Sequence, residues 1–241
     1  MRTPNDRFTF PTELTSQPGQ PSPFEPELGS VPMPESADAD ALETKTGTTT
    51  VGLKLDDGIV LATDRRASLG RMVSNKHVVK IEQVHPTAAL TIAGSVSAAQ
   101  SLVSTLEVET SLYEKRRGED MSMTALSTLT GNLLRSGAFL IVQPVLGGVD
   151  AEGTHLYSVG PLGSTLEDDY TVSGSGSQFA LGVLEQEYDP DLSIEEASTV
   201  AVRSVKSAVE RDTASGNGVN VARITAGGVE IDEHETFDDL L

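Results

Sequence analysis

One boundary constrains this chain more than any other feature: the residues up to Gly47 and those after it follow different rules. Eight of the twelve prolines stand at positions 4, 11, 18, 21, 23, 26, 32 and 34. Apolar periodicity is missing there, and eight acidic residues face three basic ones. Such a segment cannot bury enough apolar surface to offset the entropy of ordering it. Residues 1–47 are therefore expected to be disordered, as a linker, a regulatory tail or a removable pro-segment. Then Thr46-Gly47-Thr48-Thr49-Thr50-Val51-Gly52-Leu53 starts abruptly, β-branched and strand-like.

Beyond the boundary the chain alternates between two periodicities. Residues 49–55 alternate, Asp56-Asp57-Gly58 turns, and 59–64 returns, which predicts a hairpin. Further strands are expected at 72–74, 78–84 and 88–93. A helix over 97–116 follows from Leu102, Leu106 and Tyr113, widened by Val103 and Leu112. A second, over 121–136, follows from Met121, Ala125, Leu129 and Leu133, with Gly137 as its stop. Strands are expected again at 139–149, 154–159 and 170–173, then a helix over 178–187. Ser193 and Glu196 form a capping-box signal for a further helix with Ala197, Val200, Ala201, Ser204, Val205 and Ala208 on its packed face. Strands at 219–225 and 228–231 close the domain, leaving 232–241 as a peripheral acidic tail. Helices arriving in pairs between groups of strands fit an α+β fold, a four-layer α-β-β-α sandwich of two stacked antiparallel sheets. They fit a doubly wound parallel sheet less well. The catalytic or binding domain is expected to span 48–241.

Charge and composition exclude several functions. The formal net charge is -19, which argues against a nucleic-acid surface or an anionic membrane as partner. Lysine is scarce, 6 against 11 arginines, a balance suited to a cytoplasm of concentrated salt where screening removes self-repulsion. The absence of cysteine excludes disulfides, thiolate metal sites and cysteine nucleophiles. No apolar run is long enough to span a membrane, and the N-terminus lacks the apolar core of a signal peptide, so a cytoplasmic protein is expected.

Familiar motifs fail in turn. Gly174-Ser175-Gly176-Ser177 has Phe179 where a dinucleotide fingerprint needs its third glycine. Neither a phosphate loop nor G-x-S-x-G is present. His77, His85, His155 and His234 have no metal spacing, and Asp189-Pro190-Asp191 lacks the glycine and glutamate of a calcium loop. No cofactor and no metal are implied. What remains is the threonine boundary. Cleavage between Gly47 and Thr48 would place a new α-amine, of ordinary pKa about 7.7–8.0, beside its own hydroxyl as a base. A nearby lysine ammonium would depress that pKa further. By periodicity alone, the plainer reading of an ordinary strand start is favoured.

From this boundary onward the sequence resembles the archaeal-type proteasome β subunit, of the N-terminal nucleophile (Ntn) hydrolase superfamily of threonine peptidases. The resemblance lies in 46–52, in Ala62-Thr63-Asp64-Arg65-Arg66-Ala67-Ser68, in Lys80-Ile81 and in Thr91-Ile92-Ala93-Gly94-Ser95. It continues in Gly174-Ser175-Gly176-Ser177, Gly182-Val183-Leu184-Glu185 and Arg211-Asp212-Thr213-Ala214-Ser215-Gly216. It implies that Thr48 becomes a catalytic N-terminus by self-cleavage of the Gly47–Thr48 bond, removing residues 1–47 as a propeptide. It further implies that Asp64 orients a charged Lys80 beside the threonine and that the Gly94 N–H stabilises the oxyanion. Ser175, Asp212 and Ser215 would hydrogen-bond around the amine. In the first, self-processing step no free amine exists, and a bound water is the expected proton acceptor.

The resemblance also implies a first specificity pocket walled by Ala67, Ser68, Val78, Glu82, Ile92, Val96 and Gln100. That lining favours cleavage after large hydrophobic residues, with Glu82 leaving some tolerance for basic ones. The partners it implies are other β subunits in heptameric rings, flanking rings of α subunits, a ring ATPase regulator and unfolded protein substrates. Two rivals stay open at this point: a non-catalytic ring subunit, which intact Thr48, Asp64 and Lys80 argue against, and an Ntn amidase acting on small molecules.

Overall fold

The opening hairpin forms where the sequence places it. Strands β1 (Thr50–Lys54) and β2 (Ile59–Asp64) pair antiparallel, and the Leu55 N–H donates to the Gly58 carbonyl at 2.9 Å to close the turn. This computed structural model describes residues 47–137, 139, 142–238 and 240–241. The expected disordered head therefore lies outside the described residues except for Gly47, which is buried.

Ten of the strands build two five-stranded antiparallel sheets. In the first, β1 and β2 lie between β10 (Tyr170–Ser173) on one side and β11 (Val219–Thr225) and β12 (Gly228–His234) on the other. The second runs in chain order: β5 (Ile81–His85), β6 (Ala88–Thr91), β7 (Val145–Asp150), β8 (Gly153–Val159) and β9 (Thr165–Glu167). A separate ribbon pairs β3 (Ala67–Leu69) with β4 (Met72–Asn75). Among the described residues four helices stand between groups of strands: α1 (Val96–Arg117), α2 (Met123–Arg135), α3 (Ser177–Glu187) and α4 (Ile194–Val209).

Three apolar layers hold these elements in an α-β-β-α stack. Ile59, Leu61, Val145, Leu156, Ala222 and Ile224 fill the space between the sheets. On the outer face of the first sheet, Val60, Ala62 and Val221 meet Ala180, Leu184, Ala201 and Val205 of α3 and α4. On the outer face of the second, Leu90 and Leu146 meet Leu102, Leu106, Leu126 and Leu134 of α1 and α2. Gly147 permits the close approach of the sheets, since a Cβ there would lie 2.6 Å from Ile59 Cγ2. The capping box of α4 is present in full: Ser193 Oγ accepts from the Glu196 N–H while the Glu196 carboxylate accepts from the Ser193 N–H.

The structure departs from the sequence reading in four main places. The strand expected over 78–84 begins only at Ile81, which leaves 78–80, Lys80 included, outside it. Of the expected 139–149, residues 140 and 141 lie outside the described residues; among the rest regular strand begins at Val145, since Phe139 sits in a turn and Val142 makes an isolated bridge to Gly94. The tail is not peripheral: β12 runs on to His234, and Phe237 and Leu240 pack partly buried against the layer under α3 and α4. The short strands β3 and β9 have no counterpart in the reading.

Candidate active site

Sheet pairing assembles the site from residues far apart in sequence. Thr48 stands two residues ahead of β1, and Asp64 ends β2 beside it, its N–H donating to the Thr49 carbonyl at 3.1 Å. Strand β10 pairs with β1 in the register Thr50↔Ser173, which carries residues 174–177 up to Thr48. Strand β11 pairs with β2 in the register Val219↔Asp64, which brings the 212–218 loop to the same end. Lys80 immediately precedes β5 of the second sheet, so it reaches Thr48 from the opposite layer of the sandwich.

At the centre, Lys80 Nζ contacts Thr48 Oγ1 and donates to Asp64 Oδ1 at 2.7 Å. Thr48 Oγ1 also lies 3.1 Å from Asp64 Oδ1. The Asp64 carboxylate is wholly buried and is held by three backbone N–H groups, from Thr49 at 3.0 Å, Arg66 at 3.0 Å and Gly216 at 2.9 Å. Those donors fix the carboxylate, and the carboxylate fixes the lysine. Burial pushes the Lys80 pKa below the ordinary lysine value, while the Asp64 charge works against that shift. A lysine held in this way can pass a proton to or from the hydroxyl it touches.

A second relay lies on the nitrogen side of Thr48. That nitrogen is still a peptide N–H in the continuous chain, standing where cleavage would leave an α-amine. It donates to Ser175 Oγ at 3.2 Å, and Ser175 Oγ donates to Asp212 Oδ2 at 2.6 Å. Ser215 Oγ donates to the same oxygen at 2.7 Å and lies 2.8 Å from Thr49 Oγ1, which can donate to it. The Ala214 N–H takes the other carboxylate oxygen at 3.1 Å. Asp64, Lys80 and Ser175 thus reach Thr48 directly, while Asp212 and Ser215 stand one hydrogen bond further out, on Ser175 and Thr49. Sequence reasoning missed Thr49 and Arg66, whose hold on Asp64 comes from backbone N–H groups that any residue type supplies.

Thr48 opens into a cleft of about 450 Å³. All seven expected wall residues line it: Ala67, Ser68, Val78, Glu82, Ile92, Val96 and Gln100. Gly94 lines it too, at φ 112°, a backbone conformation that glycine adopts without strain. The start of α1 completes the wall through Ser95, Val96 and Ser97, and the first turn of that helix carries no acidic residue. Its dipole therefore favours negative charge in the cleft. A larger hollow of about 1150 Å³, between α1, β5 and the β11–β12 hairpin, contains neither Thr48 nor its partners, so the chemistry belongs to the smaller cleft. Among the described residues no cluster of ligating side chains could hold a metal ion.

A threonine hydroxyl gripped by a buried Lys–Asp pair, on a sandwich of this order, defines an Ntn hydrolase of the threonine type. Residues 44–224 match the proteasome subunit family, and the chain belongs to that family. It is 64% identical to a proteasome subunit beta of Haloquadratum walsbyi and 62% identical to one of Haloferax volcanii, in each case over the whole of both chains. A proteasome subunit beta of Halorubrum lacusprofundi is likewise 64% identical over full length. With that membership goes threonine-type endopeptidase activity, preceded by self-cleavage. These relatives come from halophilic archaea, the setting that an acidic, lysine-poor composition suits. No helix among the described residues is long and apolar enough to cross a membrane.

Proposed function

We propose that Thr48, freed by cleavage of the Gly47–Thr48 bond, is the nucleophile of a proteasome core peptidase. The observation that carries this reading is the contact of Thr48 Oγ1 with Lys80 Nζ inside the buried Asp64 cage. In the precursor, Thr48 Oγ1 attacks the Gly47 carbonyl, and the contact favours Lys80 Nζ over the bound water expected from sequence as the acceptor of the hydroxyl proton. Burial lowers the lysine pKa and so raises the share of neutral amine able to accept it. Lys80 returns that proton to the peptide nitrogen as the Gly47–Thr48 C–N bond breaks, so the nitrogen leaves as the α-amine, held by Ser175, and water hydrolyses the resulting Gly47 ester. Residues 1–47 are then the discarded propeptide and 48–241 the catalytic domain.

Peptide hydrolysis repeats the same two halves. The Thr48 amine takes the hydroxyl proton, with Lys80 ammonium keeping its pKa low and Ser175, Asp212 and Ser215 orienting it. The Gly94 N–H and the start of α1 stabilise the oxyanion. The amine protonates the departing peptide nitrogen, and water then clears the ester. The cleft walls of Ala67, Val78, Ile92 and Val96 favour cleavage after large hydrophobic residues.

Gly47 offers a direct check on self-cleavage. A Cβ there would lie 1.8 Å from Ala214 Cβ and 2.9 Å from Ser175 Oγ, so any side chain displaces the loop that holds the site. Gly47→Ala is expected to slow processing by about tenfold to a hundredfold, followed as loss of the full-length band with time. A chain begun directly at Thr48 lacks residue 47 and should show normal peptidase activity without processing.

Glu82 gives the cleft a pH dependence. Partial burial raises its pKa above the ordinary carboxyl value, and the nearby Glu107 charge raises it further. Below that raised pKa Glu82 is neutral and the wall suits an apolar side chain; above it the carboxylate is charged and disfavours one. KM for a peptide with leucine or tyrosine before the cut should therefore rise as pH climbs through this range. Glu82→Gln should keep KM low and flat; the same rise in that variant would assign the effect elsewhere.

Family membership implies assembly into a ring particle. We place the chain in heptameric rings of β subunits flanked by α-subunit rings, fed with unfolded proteins by a ring ATPase in the cytoplasm, with no nucleic acid, membrane or cofactor involved. The acidic propeptide would mask Thr48 until the chamber closes. In support, the β3–β4 ribbon beside the cleft exposes Leu69, Met72 and Val73, an apolar strip suited to a neighbouring subunit.

A further inference from the structure

We propose that Asn217, clamped by the guanidinium of Arg66, is a positioning residue that holds the 213–217 loop in its working shape. The inference rests on the Thr48 reading above, and it concerns residues that make no contact with the nucleophile's hydroxyl.

The loop between α4 and β11 carries much of the site on its backbone. The Gly216 N–H donates to Asp64 Oδ2, Ser215 bridges Asp212 and Thr49, and Ala214 occupies the space beside Gly47. A loop of this kind has no ladder of its own to hold it. Arg66 supplies the hold from the segment between β2 and β3. Its Nε donates to Asn217 Oδ1 at 2.9 Å and its Nη1 donates to the Thr213 carbonyl at 2.8 Å. One planar fork thus ties both ends of the loop. The same residue's backbone N–H donates to Asp64 Oδ2 at 3.0 Å, beside the bond from Gly216. Arg66 therefore sets the carboxylate with its backbone and the loop with its side chain.

Two further features show that the clamp is built into the chain. Gly216 leaves room for the guanidinium, since a Cβ there would lie 2.3 Å from Arg66 Nη2. Asn217 sits at φ 65°, the one described residue other than glycine at positive φ. Asparagine tolerates that left-handed conformation better than most residues and brings an amide oxygen with it. Asn217 does not line the cleft, so loosening it should disturb the Asp64–Lys80 pair without altering substrate contacts.

The experiment compares Asn217→Gly and Asn217→Asp in the full chain, expressed with its ring partners in concentrated salt, with Thr48→Ala as the blank. Glycine keeps the left-handed backbone and deletes the acceptor; aspartate keeps an acceptor facing the guanidinium. In Asn217→Gly, kcat on a fluorogenic peptide should fall about tenfold with KM unchanged, and self-cleavage should slow. In Asn217→Asp, kcat should stay close to that of the unaltered chain. Equal kcat in all three, or an aspartate variant as impaired as the glycine one, overturns the proposal. So does a glycine variant whose loss of kcat merely tracks a loss of folded protein. If Asn217→Gly does not fold, Arg66→Lys carries the test through kcat alone, because lysine keeps the charge and loses the fork; undiminished kcat there also overturns it. Activity that survives Thr48→Ala would sink the Thr48 reading itself, a result distinct from all of these.

Discussion

Thr48→Ala should reduce peptide hydrolysis by at least about a thousandfold and leave the chain uncleaved. Both effects have one cause, because the same oxygen opens the precursor and the substrate. Without Oγ1 no ester can form, and the remaining groups, Ser175, Asp212 and the Gly94 N–H, can only bind. The loss should not come from unfolding. Thr48 is 3% exposed and among the described residues its hydroxyl meets the Asp64–Lys80 pair, which retains its own 2.7 Å bond and the backbone donors around it. Removing one such hydrogen bond costs about 1 kcal/mol, a small change in the thermal midpoint. Thr48→Ser, which keeps the oxygen, should retain both activities. An alanine variant that still processes itself would place the nucleophile on another residue.

Lys80→Met should be nearly as damaging to activity, by about a hundredfold to ten-thousandfold, and damaging to stability as well. Methionine fills much of the same space but leaves the Asp64 carboxylate buried without a cation. Breaking a buried pair in this way costs about 3–5 kcal/mol. The three backbone N–H groups on Asp64 hold the expected loss towards the lower end of that range. Adding Asp64→Asn removes the stranded charge, so the double variant should regain much of the stability and none of the activity. Thermal midpoints and initial rates on the four chains of this cycle check both statements. A double variant whose loss of stability equals the sum of the two single losses would show that the pair is not coupled.

The sequence carried the scaffold better than the site. The β1–β2 hairpin was legible because Asp56-Asp57-Gly58 is strong turn chemistry between two β-branched runs. The start of α4 was legible because Ser193 and Glu196 mark a capping box that the structure completes. Strands β3 and β9 were not, since three residues are too few to show an alternation, and β3 has no turn residue before it. The tail misled for another reason: Asp232 and Glu233 look like a solvated run, yet β12 borrows its order from β11 through the pairs Val221↔Asp232 and Asn220↔Glu233. Phe237 and Leu240 then find the core that their acidic neighbours hide.

For the site, periodicity was silent. Asp64, Lys80 and Ser175 lie 16, 32 and 127 residues from Thr48, separations set by sheet topology and not by any local repeat. Only the likeness to a known family could name them, and the geometry then brings each to the threonine. The Arg66–Asn217 clamp escaped even that likeness. Its signal was an asparagine between two glycines, Gly216-Asn217-Gly218, which reads as a flexible turn until the guanidinium is seen against it.

The measurement that bears most directly on the central claim is the intact mass of the denatured chain, taken from the particle formed with an α-type ring subunit in concentrated salt. The account predicts a chain that begins at Thr48, in a particle that hydrolyses peptides. A chain still beginning at Met1 or Arg2, inside a fully assembled particle, would contradict it. Thr48 would then be a buried strand start, and the subunit structural.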